Sequence, residues 1–283
     1  MADEIEVPAH AKINVFLRVL RRREDGYHDI ESLVVPISMA DRLWFRSMEH
    51  GVRGSVSGSA PGIDQIDPEK HLLWEVVELL WKRHGPRGGV EYQLEKVIPV
   101  AAGLGGGSAD AAASLLALND LLEYELDERE LMELAAELGS DVPAFLLGGP
   151  AVIRGRGDVV EPAEASLTWW VLVAQDFPVL TADAYRWWDE GGETGPETGS
   201  LLAAISEGRV QDLAMGLFND LEPVVASRNP AIARAKHHLL EAGALGVVMS
   251  GSGPTVAALA RDEAHALELV ERVPGAIPVS APP

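Results

Sequence analysis

The sequence predicts an α+β protein, and three observations carry that prediction. The C-terminal half reads β-α-α-α-β-β-α-β, the order expected of helices laid on a mostly antiparallel sheet. The N-terminal third alternates in the manner of strands before its first helix. Between the two, an alternating stretch at 90–97 passes through a glycine run into an Ala- and Leu-rich helix at 108–122.

Composition bounds the function classes. The 283 residues are 47% hydrophobic, enough for one large or two modest globular domains. No run of 18 apolar residues escapes charge or glycine, so no membrane span is expected. The start, Met1-Ala-Asp-Glu-Ile-Glu, is acidic and unlike a secretory signal, which makes a cytoplasmic location the expectation. The absence of cysteine excludes disulfides, thiolate metal sites and cysteine nucleophiles. With 44 acidic and 23 basic residues the net charge is −21, which argues against nucleic-acid or anionic-membrane partners. An anion site must then be built locally, from helix N-termini and a few placed cations. Lysines stand only at 12, 70, 82, 96 and 236, so each one near a site is informative.

Taken in order, Ile5–Leu20 reads as one or two strands. Within it Lys12 and Asn14, with His10, share a face, because strand side chains repeat every two residues. A solvated edge strand explains that pair as readily as a cleft-lining cation and amide do. Asp25-Gly26 marks a hairpin turn, followed by Tyr27-His28, either packing residues or a ring and imidazole for a planar base. Ile30–Pro36 and Asp41–Arg46 are further strands, Pro36 placing the first at an edge or at its end. Residues 50–67 read as loop or weak hairpin, and Leu72–His84 as a helix stopped by Gly85-Pro86. Asp127 and Glu130 form a capping box for a helix ending at Leu138, with Gly139 at its C′ position. Asp141 then caps a short helix with Pro143 just inside, faces a cleft, or does both. Arg156 reads as a turn residue after strand 151–154, and 161–166 as a boundary. Beyond it come strand 169–174, a helix capped by Thr181 with Tyr185 one turn inside, and a flexible insert at 191–199. Helices at 209–218, 219–227 and 230–242 follow. Strands 247–250 and 256–259 flank the turn Gly251-Ser-Gly253-Pro254, before helix 264–273 and a short strand at 277–280.

Pro99-Val100-Ala101-Ala102-Gly103-Leu104-Gly105-Gly106-Gly107-Ser108-Ala109 lies between its strand and helix. Gly103, Gly105, Gly106 and Gly107 let the backbone take φ > 0 and approach a ligand. The helix start adds unpaired N–H groups and the positive dipole end, which together bind phosphate. A surface linker or a ligand-free turn uses glycine too, but neither needs this strand and helix on its flanks. Neither Gly-Lys-Ser/Thr nor Gly-x-Gly-x-x-Gly is present, since Ser occupies 108. Residues 99–109 are therefore the candidate nucleotide loop, of a class the spacing leaves unnamed. The turn at 251–253 is a candidate to meet it.

Together these stretches resemble the galactokinase, homoserine kinase, mevalonate kinase and phosphomevalonate kinase (GHMP) superfamily, through Pro99–Ala113 and Gly246–Thr255. Ala11-Lys-Ile-Asn14, Asp25-Gly-Tyr-His28, Gly139-Ser-Asp-Val-Pro143 and Asn219-Asp-Leu-Glu222 narrow the resemblance to one branch. That branch phosphorylates the 2-hydroxyl of a cytidine-diphosphate-linked methylerythritol in non-mevalonate isoprenoid formation. The matches run from residue 8 to 259; Val15 for a commoner Leu, the 191–199 stretch and the acidity are departures. The resemblance implies a two-lobed fold, with an N-terminal α/β ATP-binding domain at 1–162 and a C-terminal ferredoxin-like α+β substrate domain at 163–283. It implies ATP and Mg²⁺ as cofactors, with no residue assigned to the metal beyond Ser108 as a candidate phosphate or metal-shell hydroxyl. It implies Asp141 as base beside Lys12, Asn14 orienting the methylerythritol end, and Tyr27 and Tyr185 sandwiching cytosine. By the same resemblance His28 would hydrogen-bond the cytosine edge, and Thr181 would be a lesser substrate contact that capping alone explains. A monomer or homodimer acting on a small molecule is expected. The rivals are a mevalonate-type kinase with the tyrosines as packing, a non-catalytic sensor, and a module for a basic partner; ATP-dependent turnover of the cytidine substrate separates them.

Overall fold

The computed structural model describes residues 4–67 and 71–282. Lys70 and the first three residues of the acidic start lie outside them. The strands are β1 (Glu4–Arg22), β2 (His28–Met48), β3 (Val52–Gly58), β4 (Gly89–Lys96), β5 (Ala151–Gly155), β6 (Val159–Pro162), β7 (Thr168–Val173), β8 (Phe218–Asn219), β9 (Gly246–Met249), β10 (Val256–Ala260) and β11 (Ile277–Ala281). The helices are α1 (Leu72–His84), α2 (Gly106–Leu121), α3 (Glu128–Leu138), α4 (Val142–Leu146), α5 (Thr181–Asp189), α6 (Gly199–Ser206), α7 (Val210–Gly216), α8 (Glu222–Arg228), α9 (Pro230–Glu241) and α10 (Glu263–Arg272). The mixture is α+β, as the sequence predicts. Two interleaved compact units emerge, one of residues 1–11, 39–100 and 105–148, the other of 12–38, 101–104 and 149–283.

In the first unit β4 runs antiparallel to the distal part of β2, pairing Leu43 with Leu94 and Phe45 with Tyr92. β3 lies parallel to β4, so the stretch expected to be loop or weak hairpin is in fact a strand. Its Arg, Ser and Gly content hides the period, and its pairing partner supplies the order. The apolar face of α1 (Leu73, Val76, Val77, Leu80) meets Val90, Tyr92 and Leu94 of β4 in one core with Leu115 and Leu118 of α2. Small side chains at Ala109, Ala111, Ala112 and Ala117 let α2 sink into that core, and a helix apolar on most sides is buried. The Asp127 capping box on α3 is present in both directions. Gly139 ends α3 with an extended φ of 168°, not the left-handed C′ expected.

In the second unit β5 pairs antiparallel with the proximal part of β2, Ile30 opposite Gly155, and β6 pairs with β5. The two expected strands at 30–36 and 41–46 are one, and Pro36 stands inside it rather than at an end. Its missing N–H falls between the ladder to β5 (Ile30–Val34) and the ladder to β4 (Arg42–Met48). The two-residue strand β8 pairs parallel with β1 at Phe16 and Leu17, where a continuous helical region is expected from sequence. A second sheet, β11-β7-β10-β9, is antiparallel throughout. α9 and α10 pack on it, and β10 is buried at all five positions. The stretch read as a flexible insert is anchored: Arg18 Nε donates to Gly195 O at 3.0 Å, and Gly195 N to Asp220 at 3.0 Å. Thr198, buried, donates to Glu31 at 2.9 Å.

Candidate active site

Lys12 and Asn14 are buried, not solvated, which removes the edge-strand alternative. Strand alternation aims both side chains to one side of β1, where Lys12 Nζ donates to Asn14 Oδ1 at 2.5 Å and to Gly103 O at 2.9 Å. The Ser250 hydroxyl donates to the same Gly103 carbonyl at 2.9 Å and accepts from the Asn14 backbone N–H at 3.2 Å. Asn14 Nδ2 donates to Ser32 Oγ at 2.8 Å, and the Ser32 hydroxyl donates to the Phe16 carbonyl. Asn219 Nδ2 donates to the carbonyls of Met249 and Gly251, each at 2.7 Å, holding the second glycine turn. That turn does meet the first loop: a Cβ on Gly103 would run into the Ser250 carbonyl oxygen. Gly103 has φ 77°, and the neighbouring Ala101 holds φ 51°, left-handed without being glycine. Such a residue stores about 1–3 kcal/mol of strain and is kept only where its surroundings enforce it.

The base-reading candidates lie in the same unit. Tyr27 is 56% exposed and carries the Arg156 guanidinium over one face at 5.2 Å. Tyr185 stacks on His28 with ring centroids 4.8 Å apart. Asp189, which sequence reading passed over, meets His28 Nε2 at 2.7 Å. Thr181 opens α5 but does not cap it: Leu180 is the N-cap, and the Thr181 hydroxyl lies 3.2 Å from Ser252 Oγ. Capping therefore does not explain Thr181.

The remaining candidates belong to the first unit. α2 starts at Gly106 behind Gly105, whose φ of 71° is left-handed and which has no side chain to cap with. Its carbonyl accepts from Ala109 N at 2.9 Å, leaving the N–H groups of Gly106, Gly107 and Ser108 without intrahelical partners. α3 and α10 are capped by Asp127 and Asp262, whereas the first turn of α2 holds no acid. A helix start without a carboxylate keeps its positive end for an external anion. Asp141 is the N-cap residue of α4 yet accepts no capping N–H, and its Oδ1 lies 3.5 Å from Ser140 Oγ. Its half-buried carboxylate is thus not engaged as a cap.

Beneath the start of α2 lies a buried cluster that the sequence reading missed. Lys96 Nζ binds Asp41 and, at 2.8 Å, Asp110. Asp41 Oδ1 also accepts from the N–H groups of Val97 (2.5 Å) and Ile98 (2.8 Å), fixing the chain as it enters the loop. Burial, with the Asp41 carboxylate nearby, pushes Asp110 up to about 8 despite Lys96. Burial, then Lys96, pulls His71 down to about 4. Gly106 is needed for space: a Cβ there would lie 2.9 Å from Ile98 Cγ2 and 3.2 Å from Lys96 Nζ. The signal was available, since Lys96 continues the inward row Val90, Tyr92, Leu94 at period two.

Residues 71–149 match the GHMP kinases N terminal domain, and residues 201–278 match the GHMP kinases C terminal domain. A 4-diphosphocytidyl-2-C-methyl-D-erythritol kinase of Symbiobacterium thermophilum is 41% identical over 272 residues, 95% of each chain. That of Pelotomaculum thermopropionicum is 44% identical over 93% of this chain and 92% of its own. The chain belongs to the 4-diphosphocytidyl-2-C-methyl-D-erythritol kinase family. A crystal structure of a 4-(cytidine 5'-diphospho)-2C-methyl-D-erythritol kinase superposes with a TM-score of 0.81 at 34% identity, covering 98% of both chains. The fold is thus that of a GHMP kinase, and a kinase of this family uses ATP. Among the described residues no helix is long and apolar enough to cross a membrane.

Proposed function

We propose that this chain transfers the γ-phosphoryl group of ATP to the 2-hydroxyl of 4-diphosphocytidyl-2-C-methyl-D-erythritol. The observation that carries the reading is the near-full-length identity to kinases of that name. In this reading the N–H groups at 106–108 hold the nucleotide phosphates, within the loop 99–109. Asp141 accepts the proton of the 2-hydroxyl, whose oxygen bonds to the γ-phosphorus as the bond to the ADP oxygen breaks. Lys12 offsets charge on the transferring group. Tyr27 and Tyr185 hold the cytosine faces, His28 its edge, Asn14 the methylerythritol end, and Thr181 a lesser contact.

Mg²⁺ bound with ATP would neutralise phosphate charge, with Ser108 as a candidate phosphate or metal-shell hydroxyl. We assign the ATP-binding domain to 1–162 and the substrate domain to 163–283, in a cytoplasmic monomer or homodimer without nucleic-acid or membrane partner. An ADP-release assay with the cytidine substrate, mevalonate, homoserine and galactose tests the function. Turnover is expected with the first alone; turnover confined to any other overturns the reading. Asp141→Asn should lower kcat at least ~10²-fold while ATP binding by calorimetry persists, and unchanged turnover removes Asp141 from its role.

A further inference from the structure

The last turn of α5 is built around one imidazole. Tyr185, Trp188 and Asp189 share a helix face by their spacing of three and four. Tyr185 lies against the His28 ring with an interplanar angle of 23°, and Trp188 meets it edge-on at 5.7 Å and 87°. Asp189 Oδ1 stands 2.7 Å from His28 Nε2, and Asp189 Oδ2 stands 3.5 Å from Arg22. His28 is 7% exposed, so its ring is fixed in place and in plane by a single helical turn. Gly192 closes over Trp188 from the other side, where a Cβ would strike the indole.

That geometry has a chemical consequence. An ionised carboxylate only accepts hydrogen bonds, so the Nε2 it meets must carry a proton. In neutral imidazole the other nitrogen, Nδ1, then holds the lone pair and is itself an acceptor. Cytosine carries an amino donor at C4, where uracil carries a carbonyl acceptor. An acceptor Nδ1 therefore matches the first and repels the second. We propose that Asp189 is a positioning residue that locks His28 in the Nε2–H tautomer, making Nδ1 the acceptor for the cytosine 4-amino group and so selecting cytidine over uridine. The specificity half of this rests on the substrate reading above.

The test compares the cytidine substrate with the same diphosphate ester carrying uridine. The wild-type enzyme should prefer cytidine in kcat/KM. Asp189→Asn offers an amide N–H to Nε2, favours the opposite tautomer, and should erode that preference at least ~10-fold. The KM for the cytidine substrate should rise while the KM for ATP stays, and Asp189→Glu should restore part of the preference. A variant whose KM rises equally for both pyrimidines, with the ratio unmoved, overturns the proposal, because loosening α5 would do that alone. Nitrogen NMR of His28 in the wild-type protein needs no variant: a protonated Nε2 and bare Nδ1 are expected, and the reverse overturns it. Wild-type failure on both pyrimidine substrates would sink the substrate reading and the selectivity drawn from it. Normal cytidine turnover with an unmoved ratio sinks the inference alone.

Discussion

Lys12 and Lys96 are both buried, at 8% and 2% exposure, and their hydrogen bonds go to different kinds of oxygen. Lys12 gives protons to an amide and a backbone carbonyl, both neutral. Lys96 gives them to Asp41 and Asp110, two carboxylates that are themselves fully buried. Two buried carboxyl groups on one ammonium turn the lysine into a tie between β4, β2 and α2. The same side chain thus meets an amide and a carbonyl oxygen within one unit and two carboxyl groups within the other.

Substitutions should separate the two roles, and the largest effect is expected at Lys96. Lys96→Met leaves two carboxylates buried without their cation and should destabilise the fold by about 3–5 kcal/mol in urea unfolding. Lys12→Met should lower kcat by about 10²–10³-fold while losing less stability than Lys96→Met. Equal stability losses from the two would break the contrast. Gly106→Ala should destabilise by about 1–3 kcal/mol, because its Cβ must displace Ile98 or Lys96. Gly107→Ala, whose Cβ would rest 3.5 Å from Leu72 Cδ1, should be the milder change in thermal melts.

The smallest effect is a pH slope. Folding favours protonated Asp110, raised to about 8, so its contribution is full below the ordinary carboxylate range and is lost as pH rises toward 8. Folding favours neutral His71, lowered to about 4, so that contribution holds above 6.5 and is lost as pH falls toward 4. The two oppose each other below 6.5. Between 6.5 and 8 the Asp110 slope stands alone within this cluster, at no more than about 1.4 kcal/mol per pH unit. Asp110→Asn should flatten that limb of the unfolding profile, and an unchanged limb would place the titration elsewhere.

What could be read from sequence follows from physical range. The period-two face of β1 located Lys12 and Asn14, and the periods of α1 and α3 located their helices, because those signals are local. β8 is two residues long and has no period to read; its pairing with β1 makes it a strand. Pro36 argues locally for a strand end, yet the ladders on either side leave its nitrogen a place. The Lys96 cluster joins positions 14 and 55 residues apart, a distance no window spans. Its traces were a lysine in an inward row and an aspartate in an alanine helix. Asp189 was hidden differently: its partner His28 lies 161 residues away, although Tyr185 already marked the helix face they share.

The Gly103 carbonyl, taken up by both Lys12 and Ser250, also fixes something on its far side. A trans peptide is a rigid plane whose C=O and N–H point in opposite directions. Turning the 103–104 plane so that its oxygen faces β1 turns the Leu104 N–H away from it. The next plane repeats the arrangement, since the Leu104 carbonyl accepts from the Lys12 backbone N–H at 3.0 Å and the Gly105 N–H must point away. A neutral side chain at position 12 would therefore remove one of the two donors that hold the 103–104 plane as well as a cation, while the backbone N–H of residue 12 would still hold the next plane.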